Sequence, residues 1–344
     1  MIYFDHNATT PIDARVVDAM LPYLTNLFGN PSSLYRLGRI ARSAIDTARE
    51  QVAALVDAPA SQIIFTSGGT EADALAIASA GDKHLFISEI EHPAVFENAL
   101  RHSKRYRQII SLPVNPSGVF LPETIDPFKP QCGDFVSLML ANNETGSIQD
   151  VGGLVERLEG SGVVVHTDAV QALGKMPISF RRLGVHLMSL SSHKIYGPKG
   201  CGALVHRSDF ALQSLQYGGD QEQGLRGGTE NVAGIVGFGK AAELARLELN
   251  QRMAHLERLK ERLEQQLKTI PGLVIFAEQI QRLSNTVQFG IPGVNGEMLL
   301  LQLDQKGIAV SSGSACATGS ENISPVLAAM NVEVGLAKSA IRVS

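Results

Sequence analysis

The chain has 344 residues, of which 44% are hydrophobic and 19% are charged, and its formal net charge is −4. A chain of this length and hydrophobic content can bury a large core, and usual domain sizes favour two domains over one. The slight negative charge argues against a general role in binding nucleic acid or a membrane surface. The first residues contain no basic segment followed by an apolar stretch, so we expect neither a signal peptide nor a transmembrane span.

The spacing of apolar residues predicts two helices and then a sheet. Asp13 precedes apolar residues at helical spacing, which predicts a capped amphipathic helix, and a second helix is expected over about residues 33–56. From residue 63 to residue 205, short apolar strands alternate with helical stretches. This alternation predicts a mostly parallel sheet that is covered by helices on both faces.

The C-terminal part is predicted to form a smaller α/β unit. Apolar residues are spaced by three and four over residues 249–270, which predicts one long helix that leads out of the sheet. A coiled coil is the alternative, but the segment is short for one and its heptad is irregular. The strand-like segment LSNTVQF at 283–289 and the apolar segment GEMLLLQL at 296–303 then follow.

Polar residues follow four of the predicted strands. The segment IIFTSGGTEAD at 63–73 is a strand, a glycine turn and a helix start, whose free N–H groups and positive dipole end attract an anion. Asp168 ends another strand, His92 follows the strand over 84–88, and Lys194 follows the strand over 185–190. Because ligands bind at the carboxyl edge of open α/β sheets, we expect one site there.

Each of these residues also has an ordinary explanation when it is taken alone. Asp168 is a plausible helix cap, Gln171 a solvated side chain, His92 a loop histidine and Lys194 a surface lysine. Together they match what pyridoxal 5′-phosphate (PLP) needs: a lysine that forms a Schiff base, a carboxylate for the ring nitrogen, an amide for the ring hydroxyl and an imidazole over the ring.

The three cysteines are Cys132, Cys201 and Cys316. Their odd number, wide spacing and lack of a CxxC or Cys/His ligand pattern indicate a reducing cytoplasm and no metal site. Cys316 lies in SSGSACATGS at 311–320, which is expected to be a mobile, exposed loop with an accessible thiol. We interpret Cys132 and Cys201 as packing residues, since both lie beside predicted strands.

Several motifs are more specific than the strand pattern. They are YFDHNATTP at 3–11, FGNPSS at 28–33, NNETG at 142–146, SHKIYGPKG at 192–200 and SSGSAC at 311–316. On these motifs, and along essentially every residue, the chain resembles the cysteine desulfurases of the NifS/IscS type, which are class V members of the fold type I PLP enzymes. The last motif resembles that of the long-loop group.

The resemblance implies an α/β protein of the PLP-dependent transferase fold type I. Its large domain, residues 13–248, is expected to contain a mostly parallel seven-stranded sheet covered by helices. Residues 1–12 and 249–344 are expected to form the smaller α/β domain. The implied activity converts L-cysteine to L-alanine and leaves a persulfide on Cys316, for iron–sulfur cluster assembly or tRNA thiolation.

The resemblance also implies roles for individual residues. Lys194 holds PLP and removes the Cα proton, His92 is the acid/base near the substrate thiol, and Cys316 accepts the sulfur. Asn143 and Arg342 match substrate-binding positions, with Arg342 anchoring the substrate carboxylate. The cofactor-binding positions are Gly69, Thr70, His92, Asn143, Asp168, Gln171, Ser191, His193, Lys194 and Thr229.

The resemblance further implies partners. Thr229, in the segment RGGT at 226–229, matches a residue that reaches the phosphate of a neighbouring subunit, so a homodimer is expected. The sulfur acceptor is expected to be a scaffold or carrier protein, with no direct contact to nucleic acid or a membrane.

Two other functions remain as alternatives. Selenocysteine or cystine lysis, or transamination, would use the same pocket, although transamination needs no mobile thiol. A non-catalytic scaffold that only docks sulfur-transfer partners is disfavoured by the complete set of Lys194, Asp168, His92 and Cys316.

The chain stops at Ser344, where members of the resembled family continue with a further loop, helix and strand. Arg342 then lies two residues from the last residue, and terminal residues fray unless tertiary contacts hold them. We therefore expect normal PLP binding, slow turnover of L-cysteine with a raised KM, and recovery when a family-like segment is restored.

Overall fold

The structure is a computed structural model that describes residues 1–312 and 323–344. In these ranges the helices are α1 Ala14–Thr25, α2 Arg36–Leu55, α3 Gly69–Ala78, α4 Pro93–Arg101, α5 Val151–Arg157, α6 Phe180–Leu183, α7 Val232–Leu267, α8 Gly296–Gln305, α9 Pro325–Ala329 and α10 Val334–Lys338. The strands are β1 Ile2–Tyr3, β2 Ile63–Thr66, β3 His84–Ser88, β4 Gln108–Leu112, β5 Phe135–Ser137, β6 Val164–Asp168, β7 Leu187–Ser191, β8 Gly202–His206, β9 Val274–Ile275, β10 Val287–Gly290, β11 Ile308–Ala309, β12 Ser311–Ser312 and β13 Ile341–Val343.

The largest sheet has seven strands in the order β2-β8-β7-β6-β5-β3-β4. Only β8 runs antiparallel to its neighbours β2 and β7, and the other adjacent pairs are parallel. This arrangement confirms the predicted mostly parallel sheet. Strands β2, β3, β6 and β7 consequently end at the same edge, which is the edge where the sequence predicts a site.

Helices cover both faces of this sheet because successive strand residues point to opposite sides. In β3, Phe86 packs into a core with residues of α2, α5 and α7. Its neighbours Leu85 and Ile87 pack into a second core with residues of α3 and α4. All three side chains are fully buried, so the strand reads as a continuous apolar run.

The helices predicted around the sheet are present. Asp13 caps α1 by accepting from the backbone N–H of Arg15, and α2 occupies most of the predicted range. The long helix α7 begins 17 residues before the predicted start at residue 249, since it runs from Val232 to Leu267. No helix in the two described ranges combines the length and the apolar character needed to cross a membrane.

The early part of α7 packs very closely against α2. A Cβ atom at Gly239 would lie 2.6 Å from the Cα of Ala48, which real structures do not tolerate, so glycine is required at this contact. Gly239, one of the glycines that weaken the sequence signal for a helix here, is therefore a residue that allows the two helices to approach.

The remaining strands form two small sheets. Strands β12, β13, β10 and β9 form an antiparallel sheet in that order, and β1 pairs with β11 in parallel. The first strand thus joins the C-terminal part of the chain. The predicted domain boundary at residues 248 and 249 falls within the continuous helix α7, and the division into two domains stays a prediction.

Candidate functional site

A cavity of about 350 Å³ lies at the carboxyl ends of β2, β3, β6 and β7. Almost all of the predicted site residues line it, whether they come from strand ends, loops or β13. The lining residues are Asn7, Ala8, Gly69, Thr70, Asp73, His92, Met139, Asn143, Asp168, Val170, Gln171, Ser191, His193, Lys194 and Arg342.

The other two predicted site residues are Thr229 and Cys316. Thr229 lies against a different cavity of about 260 Å³, beside Cys201 and Arg226. Cys316 lies outside the described residues.

One end of the cavity is suited to bind an anion. Helix α3 begins at Gly69, and Gly69 and Thr70 present its first turn to the cavity. The hydroxyl oxygen of Ser191 is buried and has no hydrogen-bond partner among the described residues. A Cβ atom at Gly69 would lie 2.9 Å from a methyl carbon of Val170. Backbone N–H groups at a helix start and an unsatisfied hydroxyl together form a phosphate cradle.

His193 is a neutral neighbour of this cradle. Its Nδ1 lies 3.1 Å from the hydroxyl oxygen of Thr9. Burial and the nearby Lys194 lower the pKa of His193 to about 4. At neutral pH the imidazole is therefore a hydrogen-bonding group without charge.

The N-terminal segment covers Lys194. A short 3-10 turn over Ser192–Lys194 follows β7 and turns the lysine toward the cavity. Its Nζ donates to the backbone oxygen of Ala8 at 2.8 Å and to that of Asn7. The lysine is thus held between the end of a central strand and a segment from the start of the chain.

Two carboxyl groups, those of Asp73 and Asp168, line the cavity, and a third, that of Glu91, is buried next to His92 in the sequence. Burial raises the pKa of Asp168, while His92 and Lys194 act in the opposite direction. Burial, with repulsion from Asp168, raises the pKa values of Asp73 and Glu91 well above their ordinary range. His92 and Lys194 thus favour the charged form of Asp168, so this carboxylate is suited to pair with a protonated ring nitrogen.

His92 is held in one tautomer by the helix that follows it. It is the N-cap of α4, and its Nδ1 accepts from the backbone N–H of Ala94 at 3.1 Å. Because Nδ1 accepts, the proton of the neutral ring is on Nε2. Burial lowers the pKa of His92, although Asp168 opposes the shift. The neutral ring thus offers an N–H donor.

Arg342 is fixed in β13, which pairs with β10 on one side and with β12 on the other. Its Nη2 is 2.6 Å from a carboxylate oxygen of Asp5, and its Nη1 donates to the backbone oxygen of Asn143 at 3.0 Å. Its Nε is buried without a partner among the described residues. These contacts remove the physical reason for expecting Arg342 to fray.

Glu144, beside Asn143 in the NNETG motif, gives a pH-dependent prediction. Its Oε2 accepts from the hydroxyl of Ser324 at 2.6 Å and from the amide of Gln288 at 3.2 Å. Burial raises the pKa of Glu144 from 4.5 to about 6. Stability from this group is therefore complete below pH 4.5 and is lost as the pH rises through about 6.

Glu144→Gln should remove that loss. We expect the free energy of unfolding of the variant, relative to that of the parent, to rise by about 2 kcal/mol as the pH increases from 4.5 to 8. The size follows because one pKa unit corresponds to about 1.4 kcal/mol. Urea unfolding of both proteins at several pH values measures this difference. A difference that does not change with pH would contradict the assignment.

Sequence reasoning missed part of the lining. Asn7, Ala8, Asp73, Met139 and Val170 line the cavity but were not predicted as site residues. Asn7 and Ala8 belong to the motif YFDHNATTP, which supports the family resemblance but assigns no role to these two residues. A signal was thus present for these two, but nothing local indicated that the segment reaches the sheet edge.

Comparison with known families and proteins gives matches along almost the whole chain. The family model for aminotransferase class-V matches residues 2–344. A cysteine desulfurase IscS from Dictyoglomus turgidum is 41% identical over 99% of this chain and 88% of its own length. A cysteine desulfurase from Cereibacter sphaeroides is 43% identical and covers 100% of this chain and 90% of its own length.

Solved structures show the same similarity. A NifS-like protein from Rickettsia africae is 35% identical with a TM-score of 0.90, and the match covers 100% of this chain and 93% of that protein. A structure described as SspA in complex with cysteine is 29% identical with a TM-score of 0.88, and the match covers 100% of this chain and 98% of that one.

Proposed function

The chain belongs to the aminotransferase class-V family, and from this premise we propose that its cavity takes sulfur from L-cysteine, leaving L-alanine and a persulfide on Cys316. The activity is that of a cysteine desulfurase, and the cofactor is PLP. The observation that carries the proposal is the meeting of a lysine, a buried carboxylate and an anion cradle in one cavity.

The residues present fit the cofactor. The start of α3 and the unsatisfied hydroxyl of Ser191 suit its phosphate, and Asp168 suits its ring nitrogen. Gln171 and Asn143 would contact the ring side. When bound, PLP supplies a carbonyl that holds the amino group of L-cysteine and a ring that accepts the electrons released at Cα.

Lys194 and His92 are proposed to move protons. Lys194 would hold the cofactor covalently and, once displaced by the substrate, remove the proton at Cα. His92 presents its Nε2–H to the cavity, so it is suited to contact the substrate sulfur and exchange a proton with it. Both residues line the same cavity, which supports a role for each of them on one substrate.

The thiolate of Cys316 would then attack the substrate sulfur. A new S–S bond forms as the substrate C–S bond breaks, and the electron pair of the C–S bond stays with carbon, which is completed by a proton to give alanine. Cys201 is unsuited to this role, since burial raises the pKa of its thiol to about 12.

Arg342, with Asn143 beside it, is proposed to bind the substrate carboxylate. Arg342→Lys should raise the KM for L-cysteine by about 100-fold, because lysine cannot replace a planar guanidinium held in one geometry. PLP affinity should stay unchanged. Steady-state kinetics decide this, with Arg101→Lys on the exposed surface as the control; equal KM values for the two variants would exclude Arg342 as the anchor.

We also propose partners, a location and a domain division for the chain. Thr229 lies away from the cavity of its own chain, which suits a residue that completes the site of a second subunit in a homodimer. A scaffold or sulfur-carrier protein would receive the sulfur for iron–sulfur cluster assembly or tRNA thiolation. The spacing of the cysteines supports a cytoplasmic location, and we propose 13–248 as the large domain.

A direct assay tests the function. The purified protein should be yellow with bound PLP, and with L-cysteine and a thiol reductant it should release alanine and sulfide in equal amounts. Sulfide accompanied by pyruvate and ammonia in place of alanine would favour a different PLP reaction, a lysis by β-elimination. A colourless protein that does not take up added PLP would overturn the proposal.

A further inference from the structure

A second lysine, Lys175, is buried beside the cavity and has no role in the proposed chemistry. Its residue is 8% exposed. Its Nζ donates to the side-chain oxygen of Gln171 at 2.8 Å and to that of Asn7 at 2.9 Å. No carboxylate lies within ion-pair distance of Lys175 among the described residues. Burying a lysine amine is costly, and here two amide oxygens are its partners.

These bonds determine how the amide of Gln171 is oriented. The two ends of a glutamine amide have nearly the same shape, so only their hydrogen bonds distinguish oxygen from nitrogen. Because Oε1 of Gln171 accepts from Lys175, the nitrogen occupies the other end, where it donates to the backbone oxygen of Asn7 at 2.9 Å. One N–H of that nitrogen remains for a ligand in the cavity.

Asn7 is itself fixed from several sides. Its side-chain oxygen also accepts from the amide of Asn285 at 2.8 Å, and its side-chain nitrogen donates to the hydroxyl of Thr286 at 2.9 Å. Its backbone oxygen accepts from both Gln171 and Lys194. The network therefore joins the amide of Gln171 to the lysine that would hold the cofactor.

We propose that Lys175 is a positioning residue, which holds the amide of Gln171 so that an N–H, and not the oxygen, faces the ring oxygen of PLP. This rests on the proposed function, because it assumes that PLP occupies the cavity. Burial, with Lys194 and Arg342 nearby, lowers the pKa of Lys175 well below its ordinary value. The amine donates to both of its acceptors, Oε1 of Gln171 and Oδ1 of Asn7.

A double-mutant cycle on PLP affinity tests the proposal. Lys175→Met keeps an unbranched side chain that is one atom shorter and removes its donors, so we expect PLP binding to the apoprotein to weaken about tenfold. In a Gln171→Ala background the same substitution should change affinity by less than about twofold, because the amide that it orients is gone. Independent, multiplying effects of the two substitutions would overturn the proposal.

Gln171→Glu tests the orientation even where Lys175→Met does not fold. The carboxylate keeps an oxygen for Lys175 but has no N–H, so PLP affinity should fall as it does in Gln171→Ala. Wild-type affinity in Gln171→Glu would show that oxygen, not nitrogen, faces the ring.

A spectroscopic reading separates positioning from general loss of structure. The visible absorption band of bound PLP responds to hydrogen bonding at the ring oxygen and should shift alike in Lys175→Met and Gln171→Glu. The control is Lys83→Met, an exposed lysine at the opposite edge of the sheet, which should shift nothing. If the parent protein binds PLP but releases no sulfide, the proposed function fails while this proposal stands.

Discussion

Lys194→Ala is expected to abolish covalent attachment of PLP and to lower the rate of sulfide release by about 10³- to 10⁴-fold. Lys194 would serve both as the attachment point and as the base at Cα, and alanine can do neither. The fold should persist, although the substitution removes the bonds from Nζ to the backbone oxygens of Asn7 and Ala8. Unchanged circular dichroism would confirm this.

Borohydride reduction followed by peptide mapping identifies the attachment site. The parent protein should be labelled at Lys194, and Lys199→Ala, which changes an exposed lysine of the same segment, should be labelled in the same way. Lys175 is the more demanding comparison, because it is a buried lysine next to the cavity. A label on Lys175 or Lys199 would contradict the assignment.

Cys316→Ser is expected to keep PLP and to bind L-cysteine. It should form no persulfide on this residue, and its rate of sulfide release should fall by about 10³-fold or more. Binding depends on the cavity, whereas sulfur transfer requires a thiolate that a hydroxyl cannot replace. The change in the absorption spectrum on adding L-cysteine should therefore remain. Mass spectrometry of the protein after mixing with substrate detects the persulfide.

The other two cysteines provide matched controls. Cys132→Ser changes an exposed thiol, and Cys201→Ser changes a buried one. Both variants should form the persulfide normally. Sulfide release at the parent rate by Cys316→Ser, or its loss in Cys132→Ser, would show that sulfur takes another route.

The sheet was predictable because its signals are local. Strands β3, β6 and β7 are short apolar runs, and a polar residue with useful chemistry follows each of them. The first part of α7 was not predicted, because its glycines lower helix propensity. One of those glycines, Gly239, serves the close contact with α2, which only the tertiary structure reveals.

The site was predictable at its strand ends and less so elsewhere. Asp168, His92 and Lys194 belong to the sheet edge, so the topology rule was sufficient to group them. Asn7 and Lys175 meet across 168 positions of sequence, and no period or motif spacing reports such a contact. The stable position of Arg342 was missed for the same reason, because its partner Asp5 is 337 positions away.

The contacts between the first residues and Ser344 also order events during synthesis. The backbone N–H of His6 donates to the carbonyl of Ser344, and that of Asn7 donates to the hydroxyl of Ser344 at 2.9 Å. Asn7 and Ala8 in turn accept from Lys194. A nascent chain emerges from the ribosome N-terminus first, so the segment that covers this lysine cannot take its final position before Ser344 has been synthesised. The cavity that Asn7 and Ala8 line therefore takes its final form only after residue 344 has emerged.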